Sequence, residues 1–190
     1  MNPVEIAATI FGLLCVWLTV KQNIWCWPTG LVMVVLYIFI FYEAKLYSDV
    51  ILQVFYIFVQ FYGWYYWLHG GKNRSEVPVT KMTKTALTVW TLIGIVGTLG
   101  WGYFMNRFTD ASIPYGDAFT TVISIVAQWL MAKKVLESWW YWIAVDVVAV
   151  GVYFVKGLYL TTGLYAVFLG LAIAGYIAWR KSRIESLVVV

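Results

Sequence analysis

Asp146 is the one acidic residue deep inside an apolar run, the eighth residue of the stretch WWYWIAVDVVAVGVYFV. An ionised carboxylate at that depth costs about 2.5–3.5 kcal/mol on membrane-insertion scales, so its presence needs a compensating reason. At the period of a helix Asp146 shares a face with Trp139, Trp142 and Tyr153. A carboxylate and aromatic rings on one stripe suit an aromatic cation. The competing reading is a protonated or hydrogen-bonded carboxyl that ties helices together.

Two further stripes carry polar side chains. Gln53, Gln60, Trp64 and Trp67 fall near one face of an earlier run, and Asp117, Thr121, Ser124 and Gln128 recur at i, i+4, i+7 and i+11 of a later one. Amides and hydroxyls can read ring substituents or ribose hydroxyls, and Trp or Tyr faces stack on a ring or attract its positive charge for roughly 0.5–2 kcal/mol. Each Gln or Ser can equally bond helix to helix. Catalytic chemistry is not indicated. There is no His cluster, Cys–His pairing or phosphate loop, His69 stands alone in a glycine-rich loop, and Cys15 and Cys26 read as packing residues. No enzyme, metal site or cofactor is expected.

The elements that position these residues follow from composition. Of 190 residues 63% are hydrophobic and 12% charged, against about 25% charged in soluble domains, which excludes a water-soluble protein. Apolar runs near 6–20, 24–42, 50–68, 86–104, 118–132, 139–155 and 162–179 are long enough, or nearly so, to cross a ~30 Å hydrocarbon layer. They exceed the ~10 residues of a barrel strand and do not alternate, so each is a helix. The fold class is all-α integral membrane, with seven transmembrane helices. MNPVEIAATI has no basic leader region, and no removable signal peptide is expected. Trp25, Trp101, Trp139 and Trp179 lie at span ends, where aromatic belts form. A rhodopsin-type pigment is excluded because the last span lacks a Schiff-base lysine.

The net charge of +4 comes from short basic clusters between apolar runs, as topogenesis produces, and no nucleic-acid partner is expected. Lys72, Arg74, Lys81 and Lys84 place the third loop in the cytoplasm. Alternation then puts ten of thirteen basic residues inside, leaves Lys45, Arg107 and Lys156 outside, and predicts the N-terminus outside and the C-terminus cytoplasmic.

A shift of 112 residues superposes Trp17 on Trp129, Lys21 on Lys133, Leu46 on Leu158, Gly63 on Gly175 and Trp67 on Trp179. For the second and sixth runs, a three-residue insertion near KVLES changes the shift to 115 and pairs Trp25 with Trp140 and Trp27 with Trp142. The chain is thus expected to be a single transmembrane transporter domain, 1–190, with repeat one at 4–68, a linker helix at 86–104 and repeat two at 117–179. Two parallel three-helix repeats need one intervening span, and such repeats hold substrate near the midplane between halves. Gly94, Gly97 and Gly100 in the linker allow another helix to approach closely.

The stretches WPTGLVMVVLYIFIFYEAKLYSDVILQVFYIFVQFYGWYYW and DAFTTVISIVAQWLMAKKVLESWWYW resemble the PnuC-type family of bacterial vitamin transporters. The specific parts are LY-x(4)-LQ at Leu46 to Gln53, YGWYYW at Tyr62 to Trp67, and Asp117 through Trp140. The resemblance implies a three-one-three arrangement similar to the SWEET sugar facilitators. It implies import across the bacterial inner membrane of nicotinamide riboside or thiamine by facilitated diffusion, with a separate cytoplasmic kinase trapping the product; a proton-coupled transporter of a related nucleoside or vitamin is the alternative. The nicotinamide riboside branch is expected to carry Asn where this chain has Gln60 and Asp146, a departure that gives weight to thiamine. The expected binding residues are Asp146, Gln53, Gln60, Trp64, Trp67, Thr121, Ser124, Gln128, Trp142 and Tyr153. The expected partners are a small-molecule vitamin, the lipid bilayer and that kinase, with a homo-oligomer left open.

Overall fold

The computed structural model describes residues 3–43, 47–71 and 75–188. Lys45, Leu46, Lys72 and Arg74, used above for orientation and for the repeat, lie outside the described residues. Among the described residues seven α-helices follow in order: α1 (Pro3–Val20), α2 (Cys26–Glu43), α3 (Tyr47–His69), α4 (Lys84–Phe108), α5 (Pro114–Ala132), α6 (Ser138–Val155) and α7 (Tyr159–Val188). The largest departure from expectation is at the end of α7, which continues nine residues past Trp179. The segment RKSRIESL propagates the helix with good helix formers and an i,i+4 pair between Lys181 and Glu185, at 3.9 Å. With 30 residues α7 is about 45 Å long, which exceeds a ~30 Å hydrocarbon core.

Among the described residues, five helices are long and apolar enough to cross a membrane: α1, α2, α4, α6 and α7. The two below that measure, α3 and α5, are those that carry the Gln53/Gln60 and Asp117/Gln128 stripes. Polar residues lower their mean hydropathy, and burial of those faces against protein is the condition for keeping such helices in lipid.

Residues 1–78 form one compact unit and 79–190 a second. In the first, α2 is central and packs against both α1 and α3. In the second, α6 packs against α5 and α7, and α4 lies along α5. Gly94 and Gly97 face Ile123 and Val122 of α5, where added Cβ atoms would come within 2.6 and 2.9 Å of those side chains. The third small residue of that interface is Gly102, against Tyr115; Gly100, expected in that role, has open space around it. The segment before α4 is tied to the loop between α5 and α6. Thr80 N–H donates to Lys134 O (3.0 Å), Leu136 N–H donates to Thr80 O (2.8 Å), and Met82 N–H donates to the buried Glu137 carboxylate (3.0 Å).

The two units share local geometry at a constant offset of 112 residues. Gln22 and Lys134 hold the same left-handed backbone, φ 54° and 55°, which is uncommon for side chains other than glycine. Around them Gln22 N–H bonds Thr19 O and Asn23 N–H bonds Leu18 O, as Lys134 N–H bonds Met131 O and Val135 N–H bonds Leu130 O. Both α2 and α6 then start at the same point, residues 26 and 138.

This overturns the three-residue insertion. The equivalent of Trp27 is Trp139, and Trp142 matches Gly30. The rings agree: Trp27 meets Trp67 edge-on at 5.2 Å and 87°, and Trp139 meets Trp179 at 5.4 Å and 87°. Gly63 and Gly175 make room for the two inner indoles. Matching W-x-W by residue type misleads because Trp is abundant here, whereas the loop between the first two helices of each unit sets the register. The same pairs correct the belt assignment. Trp139 and Trp179 are 2% and 0% exposed and lie inside the second unit, while Trp25 and Trp101 are exposed.

Candidate functional site

The ten expected residues fall into two groups. Gln53, Gln60, Trp64 and Trp67 lie on α3 of the first unit; Thr121, Ser124 and Gln128 of α5 and Trp142, Asp146 and Tyr153 of α6 lie in the second. Within each group the residues differ in whether the protein already satisfies them.

Asp146 is 4% exposed, between the buried Val145 and Ala149 of α6. Its carboxyl makes no hydrogen bond or ion pair with any described residue. A buried polar group left without a partner costs about 1–3 kcal/mol, and more when charged. Trp142, four residues before it, is half-buried and packs against the apolar cluster of Ile123, Val126, Ala127, Leu130, Tyr141 and Val145. The i, i+4 spacing places Trp142 and Asp146 on one face of α6. Tyr153, seven residues after Asp146, lies 5.1 Å from the Tyr165 ring of α7 at 33°. Trp139, the remaining member of the stripe, is engaged with Trp179 and Gly175.

The α5 stripe is less available. Thr121 Oγ1 donates to Asp117 O and Ser124 Oγ to Thr121 O, both at 2.9 Å, so these hydroxyls spend their protons on their own helix and keep acceptor capacity. Asp117 is taken by Lys156, whose Nζ stands 2.8 and 2.9 Å from its two oxygens. Gln128 is half-buried.

In the first unit Gln60 is 4% exposed, and its amide, in contact with no hydrogen-bonding partner among the described residues, lies against Gly30 of α2. Gln53 Oε1 is buried and likewise unpartnered. Trp64 is half-buried, whereas the Trp67 ring is 2% exposed and occupied by Trp27. Among the ten, Gln53, Gln60 and Asp146 thus carry hydrogen-bonding capacity that the described protein does not use, and the half-buried Gln128 likewise makes no hydrogen bond to a described residue. At the equivalent positions the other unit has Tyr165, Ala172 and Val34. The units share a frame but not its polar residues. The feature that sequence reasoning missed is Gly30; its signal was the constant offset, which sets it opposite Trp142.

The chain matches the profile of the nicotinamide mononucleotide transporter family over residues 2–181. It is similar to the nicotinamide riboside transporter PnuC of Escherichia coli strain K12, at 27% identity over 210 residues that cover 97% of this chain and 88% of that protein. The PnuC of Neisseria mucosa is 29% identical over 187 residues, 92% of this chain and 70% of that one. The riboflavin/roseoflavin transporter RibM of Streptomyces davaonensis is 26% identical over 186 residues, 96% and 87% of the two chains. A crystal structure of the vitamin B3 transporter PnuC superposes with a TM-score of 0.76 at 28% identity, covering 97% of this chain and 84% of that one. The chain therefore belongs to the nicotinamide mononucleotide transporter family, and it is a multi-pass membrane transporter.

Proposed function

We propose that this transporter imports nicotinamide riboside by facilitated diffusion, with Asp146 as counter-charge to the pyridinium ring. The observation that carries the reading is a carboxyl 4% exposed, with no described protein partner, on one stripe with Trp142 and Tyr153. A cationic heteroaromatic ligand supplies both what the carboxylate lacks and what aromatic faces attract. The names of the PnuC relatives favour nicotinamide riboside over thiamine.

In this reading the amides of Gln53 and Gln60, with Trp64, are the substrate contacts of the first unit and suit ribose hydroxyls, and Thr121, Ser124 and Gln128 are further contacts of the second. Trp67 acts through its packing on Trp27. The C-terminus lies in the cytoplasm, where a separate kinase phosphorylates and traps the nucleoside. Uptake of labelled nicotinamide riboside, thiamine and riboflavin into proteoliposomes tests the proposal: transport of the riboside is expected, and a protein that neither binds nor moves it sinks the reading.

Asp146 also favours a second reading. Ionisable residues buried in spans without a fixed partner are the kind that relay protons in transporters. Riboside uptake that accelerates under an imposed pH gradient supports coupling, and uptake indifferent to the gradient excludes it.

A further inference from the structure

Gly30 lies in the second turn of α2, the helix that packs against both α1 and α3. A Cβ built there would stand 3.0 Å from Gln60 Cδ and 3.1 Å from Cys15 Sγ, and closer still to Gln60 Nε2. Side-chain carbons do not pack at such distances in folded proteins, so residue 30 and the Gln60 amide compete for one space. The first unit resolves the competition in favour of the amide. Gln60 is held nine-tenths buried against the α2 backbone while making no hydrogen bond to any described residue. The described residues leave the donors and acceptor of this amide unused, and a built seat for it fits a partner from outside the chain.

The second unit makes the opposite choice in the same frame. At the constant offset of 112, Cys15, Gly30 and Gln60 correspond to Ala127, Trp142 and Ala172. Ala127 and Ala172 are 0% and 2% exposed, and Trp142 packs on the cluster that includes Ala127. There the central helix supplies a large side chain and its neighbours small ones. In the first unit the central helix supplies none, and the third helix fills the gap with a polar group.

We infer that Gly30 is a positioning residue for substrate: its missing side chain seats the Gln60 amide at the depth where it meets the substrate's hydroxyl groups. This rests on the reading that Gln60 belongs to the binding stripe. The two nearest atoms belong to the far end of the flexible Gln60 side chain, and Cys15 Sγ at 3.1 Å need give by only a few tenths of an ångström, so Gly30→Ala displaces the amide without breaking the helix packing.

The test is a cycle of Gly30→Ala, Gln60→Asn and the double variant, with Gln60→Ala as reference, read by melting temperature and by nicotinamide riboside binding in detergent. Gly30→Ala is expected to keep a near-native melting temperature and weaken binding by about tenfold, the scale of one lost hydrogen bond. In the double variant the shorter Asn amide fits beside the new methyl, and Gly30→Ala costs much less affinity than it does with Gln60 present. Gly30→Ala that binds like the native chain overturns the inference, as does an effect that adds independently to Gln60→Asn. If Gly30→Ala alone fails to fold, recovery of folding in the double variant shows the competition, and no recovery refutes it. Native-like binding by Gln60→Ala instead removes Gln60 from the site, a failure of the function reading itself.

Discussion

Replacing Asp146 by Asn removes a charge while preserving shape, and the structure sets the expected size of the effect. Two unit charges ~4 Å apart attract by about 4 kcal/mol at an effective dielectric near 20. Part of this is offset by desolvating the pyridinium, and truncating one partner of a buried charged pair commonly costs 2–5 kcal/mol in binding. Because Asn retains a polar head, a loss of about 2–3 kcal/mol is expected, which weakens nicotinamide riboside binding by ~30- to 150-fold. The reduced riboside, whose dihydropyridine ring is neutral, has the same ribose and nearly the same shape. Its affinity should change by less than about threefold, or ~0.7 kcal/mol. Stability should move the other way. Asp146 is 4% exposed and unpartnered, so the empty protein gains when a buried ionisable group is neutralised. Isothermal titration against both ribosides, with melting temperatures in the same detergent, reads all three quantities. Equal losses for both ligands, or native affinity for the cation, would refute the counter-ion role.

Gly63→Ala and Gly175→Ala should each lower stability by about 1–3 kcal/mol, because the new methyl would enter the Trp27 or Trp139 ring; thermal unfolding checks this, with Gly151→Ala, which meets nothing within 4 Å, unchanged or slightly stabilised. Glu137→Ala strands the Met82 N–H and should cost about 1–3 kcal/mol, while Glu137→Gln, which keeps a carbonyl acceptor, should cost clearly less; proteolysis rates in the 79–83 segment report the difference. Asp117→Asn breaks a pair whose side chains are 29% and 26% exposed, and should cost under about 1 kcal/mol, with a smaller effect at high salt.

Much of this protein can be read along the chain. The hydrophobic inventory names lipid as solvent, seven apolar runs anticipate the seven described helices to within a few residues except at the end of α7, and Asp146 stands out because a carboxylate among Val, Ala and Trp is costly in any fold. The offset of 112 was also visible, in Lys21 with Lys133 and Gly63 with Gly175. These are local properties: hydropathy, period and spacing depend on residues within a few turns of one another.

Other features depended on which faces meet. Trp139 and Trp179 look like interfacial anchors by position, but they are each other's packing partners. Asp117, Thr121 and Asp146 look alike as polar residues on stripes, yet Lys156 satisfies the first, the second bonds its own helix, and the third is left unpartnered. Gly30 carries no signal as a lone glycine until α3 brings Gln60 against it. Helical periodicity assigns each side chain to a face but not to a neighbour, because neighbours are chosen by complementary packing between residues far apart in the chain. The sequence by itself therefore determined the solvent, the helices and the candidate polar residues, while the tertiary structure decided which residues of the two units correspond and which polar groups remain for a ligand.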